Sequence, residues 1–466
     1  MSNILVLGVG PLPVDNAARL HAPGMRTWQI AKLLANRRHE VCVGLINFGE
    51  FTSKSAEKNT AHMEEAGPNI RLYHLNYDEV NSPAALATLH NHMDFECCIS
   101  TTDIMNSVAA DIPLHIPLWL DYNGDPFAEK QLQGNVHEND DTLLKQWRMY
   151  LKGLACGDRF STATQPQKNA LIGQLGFAGR LNEFTCGEEL VFSIPNCSRA
   201  VRDMGLPRNF QVKGGYIPSE SFMVLWSGGY NTWCDPETLF YALERAMREN
   251  PSIYFVSTGG AIEGHDTLSF KKFEDLALAS DLNGRFRFLG WRDSEEIPAF
   301  YRQADATIVT DRFSYEGELG ARTRLNDWLD FGIPIICTEQ CELTRELVER
   351  DLVHSHKAGD VDGLVAAILK VAAGGSEIKN KTKAAQAYFD KNYAEERVFA
   401  PMLAWAETPQ FAGDRREDIV AGKAVTGSHT DSQLTHMLGE MLTGSTSPSG
   451  GISVLHRVWK RLKRGA

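Results

Sequence analysis

The chain has 466 residues, 43% hydrophobic and 23% charged, and a formal net charge of -12. One ordinary core stops growing at about 250 to 300 residues, so two domains are expected, and the composition is globular rather than fibrous or disordered. The acidic balance argues against a nucleic-acid binder, which needs a basic face for phosphates, and nine cysteines without CxxC pairs argue against a disulfide framework or zinc site and for a reducing cytoplasm.

The chain starts at once on the apolar run 4–8, with no basic leader or cleavage site, and this reads as a buried strand. No stretch approaches the ~18 to 20 apolar residues that cross a bilayer. Further strands are expected at 40–47, 70–75, 95–100 and 117–121, joined by amphipathic crossovers as in a parallel sheet. In the first crossover, Trp28, Ile30, Ala31 and Leu34 fall at helical spacing over 27–36, directly after the turn formers Pro23 and Gly24. Gly24 with Arg26 at such a helix start can bring free amides to an anion or a polar sugar, or can belong to a plain crossover loop. Thr102, Asp103, Asp121 and Asp125 follow candidate strands, where they can touch an acceptor or serve as turn and cap residues.

Pro207, Gly214, Gly215 and Pro218 interrupt all periodicity, which places a boundary near 205–220. A second α/β series follows, with strands at 222–226, 253–257, 286–289, 306–310 and 333–337 and helices at 238–248 and 323–331. The expected organisation is therefore two doubly wound domains, 1–210 and 211–407, with the ligand in the cleft between them. Residues 408–450, rich in Gly, Ser and Thr, read as a flexible linker. In 451–466, Ile452, Leu455, Trp459 and Leu462 share one helical face ringed by Arg457, Lys460, Arg461, Lys463 and Arg464. Such a basic amphipathic helix suits an anionic membrane surface or a partner protein.

Two stretches carry candidate chemistry. In LWSGGYNTWCDPETLF (225–240) a strand meets Gly228, Gly229 and Asn231, then a helix with Asp235 as N-cap and Pro236 behind it, exposing amides and a positive dipole end to a diphosphate. In FSYEGELGARTRLNDWLDFGIPIICTE (313–339), Glu316, Glu318, Arg322, Arg324 and Asp327 crowd a loop and first helical turns. Moving a sugar off a nucleoside diphosphate leaves negative charge on phosphate and positive charge on the ring. Arginines can meet the first, each charge-assisted bond contributing about 1.5 to 3 kcal/mol, and carboxylates the second. The competing reading is a salt-bridge network in which Arg322 or Arg324 pairs with Glu318 or Asp327 and contributes little.

Taken together, HAPGMRTWQIAKLLANRRHEV (21–41), LWSGGYNTWCDPETLF and RFRFLGWRDSEEIPAFYRQADATI (285–308) resemble the family 4-type glycosyltransferases with the GT-B fold, over roughly residues 20–405. The resemblance implies two Rossmann-like domains facing a central cleft, the last helix packing back on the first domain. It places Asp327 at the ribose-binding acid, though the family has Glu there. The family's first acid would fall on Leu319, and the pattern is similar to a subgroup with an acid followed by RTR, here Glu318 and then Arg322, Thr323 and Arg324. Residues 230–235 read YNTWCD and lack the family's Arg and Lys, so Arg322 and Arg324 would supply the phosphate cations.

On that resemblance Glu318, Arg322 and Arg324 are catalytic, and Gly228, Gly229, Asn231, Trp291, Glu316 and Asp327 bind the donor. Gly24, Arg26, Thr102, Asp103 and Asp121 face the acceptor. A metal-independent, retaining enzyme without a cofactor is implied, taking a nucleotide-sugar donor and a saccharide or lipid-linked acceptor for cell-surface polysaccharide or glycolipid. It would work in the cytoplasm, peripheral to the membrane through 452–464. A nucleotide-sugar epimerase and a non-catalytic scaffold of a polysaccharide assembly complex are the rival readings.

Overall fold

The computed structural model describes residues 2–15, 21–46, 62–75, 90–91, 93–112, 115–199, 201 and 210–416. The first apolar run forms β1 (Asn3–Val9), buried along nearly its whole length because helices cover both faces of a parallel sheet. It pairs in register with β2 (Glu40–Ile46) on one side and β5 (Cys97–Thr101) on the other. The sheet extends through β4 (Ile70–Leu75), β6 (Leu118–Tyr122), β7 (Arg159–Thr162) and β8 (Val191–Ser193), in the order β3-β4-β2-β1-β5-β6-β7-β8. The edge strand β3 (His62–Gly67) runs antiparallel to β4. It has no counterpart in the expected pattern, since HMEEAG carries neither an apolar run nor alternation.

The crossovers of this half are α1 (Ala22–Asn36), α2 (Thr102–Asp111), α3 (Pro126–His137), α4 (Leu143–Cys156) and α5 (Gln165–Phe177). Helix α1 starts before Pro23 instead of after it: the proline fills the first turn, where its missing N–H removes no bond. Gly24 then lies so close to the loop after β1 that an added Cβ would sit 2.0 Å from the Pro11 carbonyl oxygen.

The second half is a six-stranded parallel sheet in the order β11-β10-β9-β12-β13-β14. Its strands are β9 (Phe222–Trp226), β10 (Ile253–Ser257), β11 (Phe286–Phe288), β12 (Ala306–Val309), β13 (Ile335–Thr338) and β14 (His354–His356). Helix α6 (Pro236–Glu249) shows why the elements form: the Asp235 carboxylate accepts from the Thr238 amide, Pro236 fills the first turn, and Leu239, Phe240, Leu243, Ala246 and Met247 bury one face. Leu243→Ala there would cost about 2 to 5 kcal/mol. The other helices are α7 (Leu268–Ala279), α8 (Ile297–Gln303), α9 (Tyr315–Leu319), α10 (Arg324–Phe331), α11 (Glu342–Glu349), α12 (Val361–Ala373) and α13 (Ser376–Asn392).

The chain then returns to the first half through α14 (Glu395–Val398) and α15 (Ala400–Glu407). The Gln29 amide donates to Glu395, Phe399 lies under the Arg26 guanidinium, and Trp405 packs edge-on against Trp119. Residues 408–416, expected to begin a flexible linker, instead lie against the first half. Ala412 is buried with its amide on Asp158, Arg415 pairs with Asp158, and Asp414 takes both ends of the Arg180 fork. Two ion pairs and a buried alanine outweigh a Gly-rich composition here. The rest of that stretch, the basic segment 451–466 and residues 205–209 of the expected boundary lie outside the described residues. Among the described residues no helix is long and apolar enough to cross a membrane.

Candidate active site

Strand β9 lies between β10 and β12, so the strand order reverses beyond its carboxyl end, where open α/β sheets hold ligands. The turn there needs glycine: Gly228 has φ 89°, and a Cβ at Gly229 would stand 2.4 Å from Ile262 and 3.2 Å from Trp291. Half-buried Trp291 is fixed by its indole N–H on the Ala261 carbonyl, and the Asn231 carbonyl accepts the Cys234 amide.

Arg324, first residue of α10, reaches back to this turn. Its Nη2 donates to the Gly229 carbonyl at 2.8 Å and its guanidinium carbon lies 4.7 Å from the centre of the Trp226 ring. Its Nη1 is buried with no hydrogen-bond partner among the described residues. One turn on, Asp327 is buried, and its carboxylate accepts no hydrogen bond among the described residues. Burial, reinforced by the neighbouring Asp330 carboxylate, pushes the Asp327 carboxyl well above the usual carboxylate range. Trp328 anchors the same turn through Ser227.

Arg322 departs from the expectation that it serves as a phosphate cation. It is 2% exposed and fully engaged: Nε donates to Asp311 at 2.7 Å, and Nη1 and Nη2 donate to the two oxygens of Glu316 at 2.9 and 2.8 Å. Trp233 covers its face at 4.9 Å. Burial opposes its charge, yet the two carboxylates hold the guanidinium ionised. Glu316, expected at the donor, is the other arm of this pair and likewise unavailable. The competing ion-pair reading thus holds for Arg322, but with Asp311 and Glu316, and buried where such pairs are strong. The cluster ties the end of β12 to α9 and so shapes the loop that presents Arg324. Glu318 stays half-buried on α9, with no side-chain partner among the described residues, and α9 packs against α3 and α5 of the first half. Thr164 Oγ1 donates to the Leu319 carbonyl at that contact.

On the first-half side the expected acceptor residues divide. Arg26 and Asp121 form a buried bidentate pair, 2% and 0% exposed, with bonds of 2.7 and 2.8 Å. Arg26 also reaches Asn196, whose amide donates to Thr323 beside Arg324. These two residues are therefore braces between the halves and do not face an acceptor. Gly24 is likewise a packing glycine under Pro11. Asp103 accepts from Gln146 at 2.6 Å, and Asp125 caps α3. Thr102 keeps an unusual feature: φ is 71° at a β-branched residue, a strain that concentrates at functional sites.

Two residues that sequence reasoning did not single out stand in the cleft. Glu129 on α3 is 37% exposed yet flanked by protein from both halves. Burial, then the Asp103 and Asp125 charges, push its carboxyl up to about 7, against the pull of Lys130 and Arg322. Its partner across the cleft is His265, whose ring lies 3.4 Å away and is held neutral by burial. Neither has a sequence signal, because their pairing joins distant segments of the two halves.

With this geometry in hand, comparisons place the chain among known proteins. Residues 208–388 match the model of the glycosyl transferases group 1. Sucrose-phosphate synthase from Thermosynechococcus elongatus superposes with a TM-score of 0.64 at 15% identity, over 87% of this chain and 98% of that one. Anabaena HepE in complex with UDP and glucose gives 0.61 at 15% identity, over 88% and 100%. The E. coli trehalose-6-phosphate protein bound with UDP-2-fluoro glucose gives 0.62 at 11% identity, over 88% and 100%. The fold is thus GT-B. No curated protein sequence matches the chain.

Proposed function

We propose that this protein is a glycosyltransferase that moves a sugar from a nucleoside diphosphate donor to a saccharide or lipid-linked acceptor. The reading is carried by Arg324: a guanidinium locked onto the Gly228–Gly229 turn at the strand-order reversal, with one N–H donor unpartnered. The group 1 match over 208–388 covers this turn and the helix that bears Arg324, and the similar Anabaena and E. coli structures are described with UDP or a UDP sugar.

In the proposed reaction the bond between the anomeric carbon and the β-phosphate oxygen breaks, and the negative charge left on phosphate is met by Arg324 and the amino end of α10. No metal is assigned to this charge. Asp327 holds the ribose hydroxyls, and Glu318 lies near the ring carbon as positive charge develops. The acceptor oxygen bonds the anomeric carbon on the face the phosphate leaves, and its proton passes to that phosphate, so configuration is retained. The donor half is assigned to 211–407 and the acceptor half to 1–210. Synthesis of cell-surface polysaccharide or glycolipid at the inner membrane face, through 452–464, completes the proposal.

Incubating the full chain with UDP-, GDP- and ADP-sugars tests it. Slow release of nucleoside diphosphate with free sugar is expected from one of them. Isomerised donor, or no binding of any nucleoside diphosphate, would remove the reading.

A further inference from the structure

A pocket of about 330 Å³ lies between α3 of the first half and the turn that precedes α7 in the second, lined among others by Lys130, Gln133, His137, Asp140, His265 and Asp266. Its two walls are joined by hydrogen bonds: Gln133 Nε2 meets His265 Nδ1 at 3.0 Å, and the His137 ring meets the His265 carbonyl at 3.2 Å.

The polar atoms of this wall leave a specific pair unfilled. Gln133 Oε1 accepts from Lys130 and Gln133 Nε2 donates to Glu129, which fixes the amide orientation and makes His265 Nδ1 an acceptor. A neutral ring then carries its proton on Nε2, and that donor is buried with no partner among the described residues. Next to it, Asp266 is 1% exposed; its Oδ1 caps α7 through the amides of Leu268 and Ser269, while Oδ2 is also without a partner. An unpaired donor beside an unpaired acceptor is the complement of a hydroxyl, which both accepts and donates. The volume far exceeds the roughly 30 Å³ of a water and falls at the small end of ligand sites. Lys130 is opposed by Asp140 and Asp266, so the lining has no surplus of fixed positive charge for a free phosphate.

We infer that this pocket binds a polyhydroxylated saccharide unit, whose hydroxyls accept from His265 Nε2–H and donate to Asp266 Oδ2. It adjoins the proposed reaction site: Trp233 lies 6.2 Å from the His265 ring on one side and 4.9 Å from the Arg322 guanidinium on the other. As the place where the acceptor docks, the pocket rests on the glycosyltransferase reading; as a saccharide site it does not.

The test is saturation-transfer NMR on the full chain with free glucose, galactose, mannose and maltose, with UDP affinity measured alongside. Asp266→Asn keeps the Oδ1 cap and turns the unpaired acceptor into a donor. At least one saccharide should bind the parent protein and bind Asp266→Asn about tenfold more weakly, with His265→Phe showing the same loss and UDP affinity unchanged in both. Saccharide binding that is equal in all three proteins, or absent from the parent, overturns the pocket assignment and leaves the donor reading standing. Saccharide binding lost in the variants while UDP binds none of them upholds the pocket and removes the donor reading.

Discussion

At Arg322 a guanidinium 2% exposed is shared between Asp311 and Glu316, so its removal strands two carboxylates away from water. Arg322→Met should destabilise the protein by about 3 to 5 kcal/mol, read by urea unfolding. A loss below about 1 kcal/mol together with abolished UDP binding would mean that the arginine faces the donor after all. Asp327 poses the opposite case, a buried carboxyl without a partner. Its raised pKa means that the folded state favours the protonated form, so its ionisation lowers stability as pH rises above the ordinary carboxylate range. Asp327→Asn should therefore melt higher than the parent by a margin that grows from acid to alkaline pH, while binding UDP more weakly. A margin constant with pH would show that Asp327 does not titrate as described. Function and stability conflict at this side chain, as they commonly do where a site is built to receive a ligand.

At the scale of elements, strands β1, β2, β4, β5, β6 and β9 to β13 were legible because buried parallel strands are apolar runs bounded by turns. Helix α6 was legible through Asp235, Pro236 and its apolar stripe. The strands Arg159–Thr162 and His354–His356 were not, being short and polar, with their burial set by neighbouring strands. The site divides in the same way. Its glycine turn and the Arg324–Asp327 helix follow from local signals. The commitment of Arg322 to Asp311, the burial of Arg26 against Asp121, and the approach of Glu129 to His265 depend on which distant segments meet. The last of these gives a prediction for α3. With a carboxyl raised from 4.5 to about 7, the native state holds a proton that the unfolded chain has lost. Stability from this group therefore falls as pH rises from about 4.5 to about 7 and is level above. The advantage of Glu129→Gln over the parent in thermal unfolding should grow across that window and then stay constant. An advantage that does not change with pH would contradict the placement of Glu129 between the halves.

For the whole molecule, two sheets are held as one unit by a chain that crosses back through α14, α15 and residues 411–416, and by braces such as Arg26 to Asn196 to Thr323. The braces end beside Arg324, so the first half helps to fix the residue on which the second half's donor site depends. That arrangement is compatible with fold-level similarity at only 11 to 15% identity, because the fold needs strand order and glycine turns while the cations can shift position. Calorimetric titration of UDP into the parent protein and Arg324→Ala addresses the account most directly. Loss of one charge-assisted contact at a pyrophosphate should weaken binding by about ten- to a hundredfold with the melting temperature nearly unchanged. UDP binding of equal strength in both proteins would contradict it.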